Sequence, residues 1–459
     1  MRGLTRAQWL TLLAAWLGWG FDIFDGLLFN YVAPNCVPTL LGLPIGSAAA
    51  AAATLRWTGG LTALLLVGWA VGGLLFGPLC DRIGRLRTLM FTMLLYALGT
   101  AACAAAPDMT TLVVFRVIAS IGVGGEWAAG AAMVAEAMPE SSRLMAGALL
   151  YTSAPLGLLL ATFVNYAIAG LWLPADPAHS WRYVFLAGVL PAGLALAARF
   201  FIREPERWQA VQAAGGTAGQ GRTARVDGAA ARIGMAAQER SVPRGGELRQ
   251  IFSGALLRHT FWGTFVAVVA LATWWSCNAF LPTITTGLAR TVAATRGYGR
   301  EATLLLVETW KMRATVVFNL GGLIGTLLTV PCARRLGRRP MFALYFAASA
   351  AAILTTFGLE LAPQVRLAMF FFIGLTVFGV FGAFTYYLPE LYPTRLRATG
   401  AGFCYNIGRI LAAVGPFLVG AAAARGLAWQ TLLYVGFVPL VALLFAPFYI
   451  ETRGQPLAD

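Results

Sequence analysis

Long apolar stretches separated by short polar breaks recur along the chain, at roughly 9–35, 59–80, 87–106, 110–137, 142–171 and 181–202. They return at 258–289, 306–332, 340–359, 364–389, 396–425 and 427–450. A helix rises 1.5 Å per residue, so about 20 apolar residues cross the hydrocarbon core of a bilayer. The pattern predicts an all-α polytopic membrane protein with twelve transmembrane helices in two six-helix bundles. The bundles are expected over residues 1–202 and 258–459, the second ending in a short tail, with a linker at 203–257. That linker is rich in Gly, Ala, Arg and Gln and poor in large apolar side chains, so it is expected at the membrane surface rather than across it.

The two halves echo each other. "GGLLFGPLCDRIGRLR" at 72–87 returns as "GTLLTVPCARRLGRRP" at 325–340, an offset of 253. Glu136 precedes Arg143 by seven residues, and Glu390 precedes Arg397 by the same interval. Two signals in the same order at nearly one offset imply duplication of a six-span unit, and hence pseudo-symmetric bundles.

Composition agrees with the pattern. Of 459 residues, 59% are hydrophobic and 12% charged, with a mean hydropathy of +0.72; soluble domains carry about 25% charged residues. The net charge of +15 does not form a nucleic-acid-binding face, because the Arg residues cluster in short breaks such as "DRIGRLR" and "ARRLGRR" and in the linker, which holds eight. By the positive-inside rule that distribution places both termini and the linker in the cytoplasm, with a bacterial inner membrane as the expected location. Arg290, Arg296 and Arg300, after span 7, run against the rule. The six cysteines are scattered without a CxxC pair, so neither a metal site nor a disulfide framework is expected. The opening run is too long for a signal-peptide core and is expected to stay as the first span. No nucleophile, metal or phosphate-binding pattern appears, so an enzyme with catalytic residues or a cofactor is not expected.

Against this apolar background, "GWGFDIFDGLLF" places Asp22 and Asp25 deep in the first span. Spaced i, i+3, they project from one helix face, which is expected to line an internal cavity where a proton is handled. Asp25 lies some 24 Å along span 1 at 1.5 Å per residue. Arg116 lies about six residues in from the outer end of span 4, at similar depth. Burial raises a carboxyl pKa and a nearby Arg lowers it, so a pair that parts and rejoins would bind and release a proton. The competing reading is a static ion pair that fixes packing. Glu126, ten residues after Arg116, is either a second relay group or a brace between helices.

The motifs resemble those of the major facilitator superfamily. Gly73, Asp81, Arg82, Gly84 and Arg85 match its signature between spans 2 and 3, and "RVIASIGVGGEW" from Arg116 to Trp127 is similar to its span-4 motif. "REPERW" at 203–208 and "PELYPTRLRATGAG" at 389–402 resemble the markers after spans 6 and 10 of the sugar-porter-like branch. Paired Asp in span 1 together with "GGEW" looks most like the proton-coupled carriers of aromatic acids, sialate and lactate. The resemblance implies that Asp25 binds the proton with Arg116 as partner, and that Asp81, Glu136 and Arg143 form a cytoplasmic charge cluster gating the halves. Anchoring at the membrane surface is the alternative for that cluster. Glu390 and Arg397 are the second-half counterparts of Glu136 and Arg143, whereas Arg334 stands where Asp81 would be.

The wall of a substrate cavity is expected from Trp274, Trp275 and Asn278 on span 7, Lys311, Arg313 and Asn319 on span 8, Tyr386 and Tyr387 on span 10, and Tyr405, Asn406 and Arg409 on span 11. Arg313 is singled out, because an intramembrane guanidinium requires an anion and its planar fork suits a carboxylate. It also resembles the span-8 Arg of lactate-type carriers; Arg409 is the competing anchor. The paired glutamines of sugar porters are missing from span 7. The function expected is secondary transport, as proton-coupled symport of a small organic anion (a monocarboxylate or aromatic acid) by alternating access, by a monomer in the lipid bilayer. A sugar or polyol porter or a drug exporter of the same fold is the alternative, and a non-transporting receptor signalling through the linker a remoter one.

Overall fold

The computed structural model describes residues 4–83, 85–139, 146, 149–190, 193, 197, 249–393 and 396–453. Helices α1 (Arg6–Leu40), α2 (Ala48–Ile83), α3 (Arg85–Ala104) and α4 (Met109–Ala137) are followed by α5 (Ser153–Asn165, continued by a π-turn at Tyr166–Trp172) and α6 (Pro177–Ala187). The second half comprises α7 (Gly254–Thr295), α8 (Arg300–Leu336), α9 (Arg338–Gly358) and α10, which runs from Pro363 to Glu390 with a π-turn at Gly374–Phe378. It closes with α11 (Arg397–Ala412 and Val414–Ala422) and α12 (Ala428–Val435 and Phe437–Leu444). No strand occurs among the described residues. The architecture is the twelve-helix, two-bundle one the apolar pattern predicts. Several helices outrun their apolar cores: α1 starts at Arg6, capped by Thr5, and α2 starts at Ala48. Helix α7 begins at Gly254, inside the stretch assigned to the linker.

Within the first half, α4 packs against α2 and α3, and α1 against α5. Bilayer lipid is as apolar as a leucine side chain, so helices associate by close fit rather than by escape from water. The glycines of α4 make that fit. A Cβ at Gly122 would lie 2.7 Å from the Tyr96 nitrogen and 2.9 Å from the Thr92 carbonyl oxygen of α3, and Gly124 abuts Trp69 and Gly73 of α2.

Between the halves, α2 packs on α11 and α5 on α8. These two contacts are counterparts under a six-helix offset, so the internal duplication is visible as a pseudo-twofold interface. They differ in chemistry. Gly59 and Gly420 bring α2 and α11 together backbone to backbone, whereas α5 meets α8 through polar side chains. We call the end that carries the α2–α3 and α8–α9 turns the Arg-rich face.

Leu at position 122 overpacks a backbone contact that cannot yield. Gly122→Leu is expected to lower the melting temperature of the detergent-solubilised protein by an amount corresponding to about 1–3 kcal/mol or more. Gly60, whose Cβ would meet nothing within 4 Å, is expected to accept Ala without loss.

Candidate functional site

Asp108 caps the start of α4 by accepting a hydrogen bond from the Thr111 N–H. About two turns farther along, Arg116 is carried into the bundle, where it is buried. Its Nη1 lies 3.9 Å from Asp25 Oδ2. The guanidinium also donates to the backbone carbonyls of Asp25 at 3.2 Å and Gly26 at 2.7 Å. Each carbonyl has a second lone pair beyond its helical bond, so α1 accepts these donors without losing its own ladder. Asp22 and Asp25 are both buried. The structure therefore brings Asp25 and Arg116 together.

The acidic face of α1 does not line the central cavity, contrary to expectation. At 100° per residue, Asp22 and Asp25 turn into the first bundle, while Trp19 and Ile23 of the adjoining face border the cavity. That cavity, about 30 Å³, lies between the halves and is walled chiefly by aromatic rings. Trp69 of α2 meets Trp275 of α7 edge to face, and Trp274 packs against both Trp275 and Phe378.

Arg409 of α11 supplies the cavity's positive charge. Its guanidinium lies over Trp69 at 4.4 Å and over Tyr405 at 4.7 Å, and Nη1 donates to Asn406 Oδ1 at 3.3 Å. Stacking between ring faces, this amide and a hydrogen bond to Tyr405 orient the planar fork within a buried site. Such a group is preorganised to receive a carboxylate. Tyr151, just before α5, makes a hydrogen-bonding contact with Tyr405 from across the halves.

Tyr151 also borders a second cleft of about 160 Å³, which opens toward the Arg-rich face. Here Glu390 accepts two hydrogen bonds from Arg338, at 3.0 and 2.7 Å, and is a partner of Thr452. Burial alone would raise the pKa of Glu451. The backbone N–H groups of Arg338, Arg453 and Arg339 outweigh it, hold the carboxyl below its usual range and fasten the segment after α12 to the α8–α9 turn.

Other sequence expectations are corrected. Arg313 is exposed on the outer surface of α8 and does not reach the cavity. It follows buried Lys311 by two residues, about 200° around the helix, so only one of the two can face inward. Tyr387 is buried in packing and donates to the Ile450 carbonyl, and Tyr386 borders the second cleft under Arg338. Asn278 and Asn319 are buried away from the central cavity, Asn319 donating to the Thr315 carbonyl of its own helix. Gly73 sits beside Gly124 at the α2–α4 contact. Gly84 and Arg143 lie outside the described residues, as do the side chains of Asp81, Arg82, Arg85, Glu126, Glu136 and Arg397. Trp19, Trp69 and Tyr151 escaped sequence reasoning, since nothing along the chain separates a cavity aromatic from a packing one.

Two helical bundles enclosing a cavity between them, with charge held inside the membrane span, define a solute carrier rather than an enzyme. Residues 15–416 match the Major Facilitator Superfamily, and the chain belongs to that family. It is 26% identical to the gallate transporter of Pseudomonas putida, over 97% of this chain and 92% of that one. Identity to the probable 4-methylmuconolactone transporter of Cupriavidus pinatubonensis is 27%, covering 97% and 91% of the two chains. The crystal structure of a D-xylose–proton symporter superposes with a TM-score of 0.70 at 20% identity, covering 98% of this chain and all of the other. That likeness shows the fold.

Removing one partner of a buried ion pair is costlier than removing both. Arg116→Leu is expected to destabilise the protein by about 3–5 kcal/mol, read as a fall in melting temperature. Adding Asp25→Asn should restore most of the loss, and an additive double variant would show that the two side chains do not interact.

Proposed function

We propose that the protein is a proton-coupled symporter that imports a small organic anion, a monocarboxylate or aromatic acid, by alternating access. The observation that carries this reading is Arg409, a buried guanidinium held between Trp69 and Tyr405 on the wall of an aromatic cavity at the boundary of the halves. The anion's carboxylate pairs with the fork of Arg409 and its apolar body lies among the indole and phenyl rings. The names of the gallate and 4-methylmuconolactone transporters support an organic-acid cargo.

Asp25 carries the proton. With Arg116 in place the carboxylate is the favoured form, and when α1 and α4 shift apart the buried acid takes up a proton instead. Because Asp25 does not border the cavity, coupling passes through movement of α1, whose Trp19 and Ile23 form part of the cavity wall. The Arg-rich face is cytoplasmic by the positive-inside rule, as are both termini. One chain holds a complete cavity, consistent with a monomer as the working unit. The charged groups near the Arg-rich face, Asp81, Arg82, Arg85, Glu136, Arg143, Glu390 and Arg397, are proposed to gate its cytoplasmic end.

In proteoliposomes, Asp25→Asn is expected to abolish accumulation driven by a proton gradient while leaving counterflow exchange; loss of both from correctly inserted protein would remove the pure coupling role. Arg409→Gln removes charge-assisted hydrogen bonds worth about 1.5–3 kcal/mol, or roughly 10- to 150-fold in affinity. A thermal-shift screen of carboxylic acids against their amides should show that loss for the acids alone. Arg313→Ala should leave the acids' affinity unchanged. Stabilisation by neutral polyols that Arg409→Gln does not alter would favour a sugar or polyol porter instead.

A further inference from the structure

A second buried ion pair lies away from Asp25 and Arg116. Glu308 and Lys311, one turn apart on α8, are both buried, with Nζ 2.7 Å from Oε1. Each also reaches into the first half. The other oxygen of Glu308 accepts a hydrogen bond from Asn165 Nδ2 of α5 at 2.8 Å, and Lys311 Nζ donates to the Tyr31 carbonyl of α1 at 3.3 Å. Gly170, in the π-turn that extends α5, lets the backbone approach the Glu308 side chain: a Cβ there would sit 3.0 Å from that of Glu308. These contacts lie toward the end opposite the Arg-rich face, since Tyr31 is in the last third of α1 and Glu308 in the first third of α8.

The arrangement has an unusual division of labour. Both charges belong to one helix, so separating the halves strands neither of them. What a separation breaks is a hydrogen bond to a neutral amide and another to a backbone carbonyl. An ion pair shared between the halves would leave each charge alone in an apolar site, at a cost of several kcal/mol per ion. The pair is thus built to hold strongly along α8 and to release across the interface. The equivalent contact between α2 and α11 is a close backbone approach of Gly59 and Leu55 to Gly420 and Pro416, so the charged pair described here is on one side of the pseudo-twofold.

We propose that Glu308 and Lys311, with Asn165 and the Tyr31 carbonyl, are the lock that holds the cavity closed at the end opposite the Arg-rich face, and that these cross-half bonds break when that end opens. Tyr31 follows Asp25 by six residues on α1, about 9 Å along the helix. A shift of α1 at the Asp25–Arg116 pair therefore moves the carbonyl that Lys311 holds. The lock rests on the alternating-access reading but not on the cargo or on proton coupling.

The test is a distance measurement between nitroxide labels at Leu41 and Tyr298, two exposed positions on opposite halves at that end. It uses the full chain with its native cysteines replaced, in lipid nanodiscs without substrate. Asn165→Leu, and the milder Asn165→Ala, keep the Glu308–Lys311 pair and are each expected to add a longer-distance population absent from the parent. Leu320→Ala, on the exposed side of α8, should keep the parental distribution. An unchanged distribution in folded Asn165→Ala protein, or the same longer population in Leu320→Ala, overturns the lock. Labels at Ile83 and Leu336, near the Arg-rich face, separate the two ideas. Lengthening of the first pair without shortening of the second upholds the lock and counts against alternating access.

Discussion

A charge placed in the span of a membrane protein must find its counter-charge inside the protein, because neither lipid nor bulk water is there to supply one. That constraint accounts for two buried pairs of this chain, Asp25 with Arg116 and Glu308 with Lys311. Asp25 lies beside Arg116, whose guanidinium also donates to two α1 carbonyls. Glu308 is held by Lys311, with Asn165 and a carbonyl completing that pair. Arg409 is different, since its flanks are ring faces and an amide. The charge that borders the cavity thus sits among ring faces, an amide and the Tyr405 hydroxyl.

The two ion pairs occupy different mechanical positions. Asp25 and Arg116 sit inside one bundle, between α1 and α4, and answer to distortions within that half. Glu308 and Lys311 sit on the boundary and answer to separation of the halves. Helix α1 joins them, since it carries Asp25, borders the cavity through Trp19 and Ile23, and offers its Tyr31 carbonyl to Lys311. Transmission along one helix needs no chain of side-chain contacts across the cavity.

Packing makes such motion feasible. Where helices of one half meet, glycines such as Gly122 and Gly124 bring backbones into contact and make each bundle a stiff unit. Where the halves meet, a backbone contact at Gly59 and Gly420, the Trp69–Trp275 rings, Arg409 over Trp69 and the hydrogen bonds of Asn165 and Lys311 join them. In the alternating-access reading proposed above, such stiff units would rock as rigid bodies about that seam.

The apolar pattern by itself determined the helical class, the two six-helix bundles and the place of each charge along its helix, because each depends only on distance along the chain. Asp25 and Arg116 could be matched from their depths alone. Direction around each helix was another matter. Lys311 and Arg313 are both deep in an apolar run, yet 200° of rotation puts one in the interface and the other on the surface. Asp22 and Asp25 look into their own bundle rather than the cavity, and Tyr387 differs from Tyr386 in the same way. Only the tertiary structure decided these, since the azimuth of a side chain acquires meaning when neighbouring helices fix which sector is cavity, which is bundle interior and which is lipid.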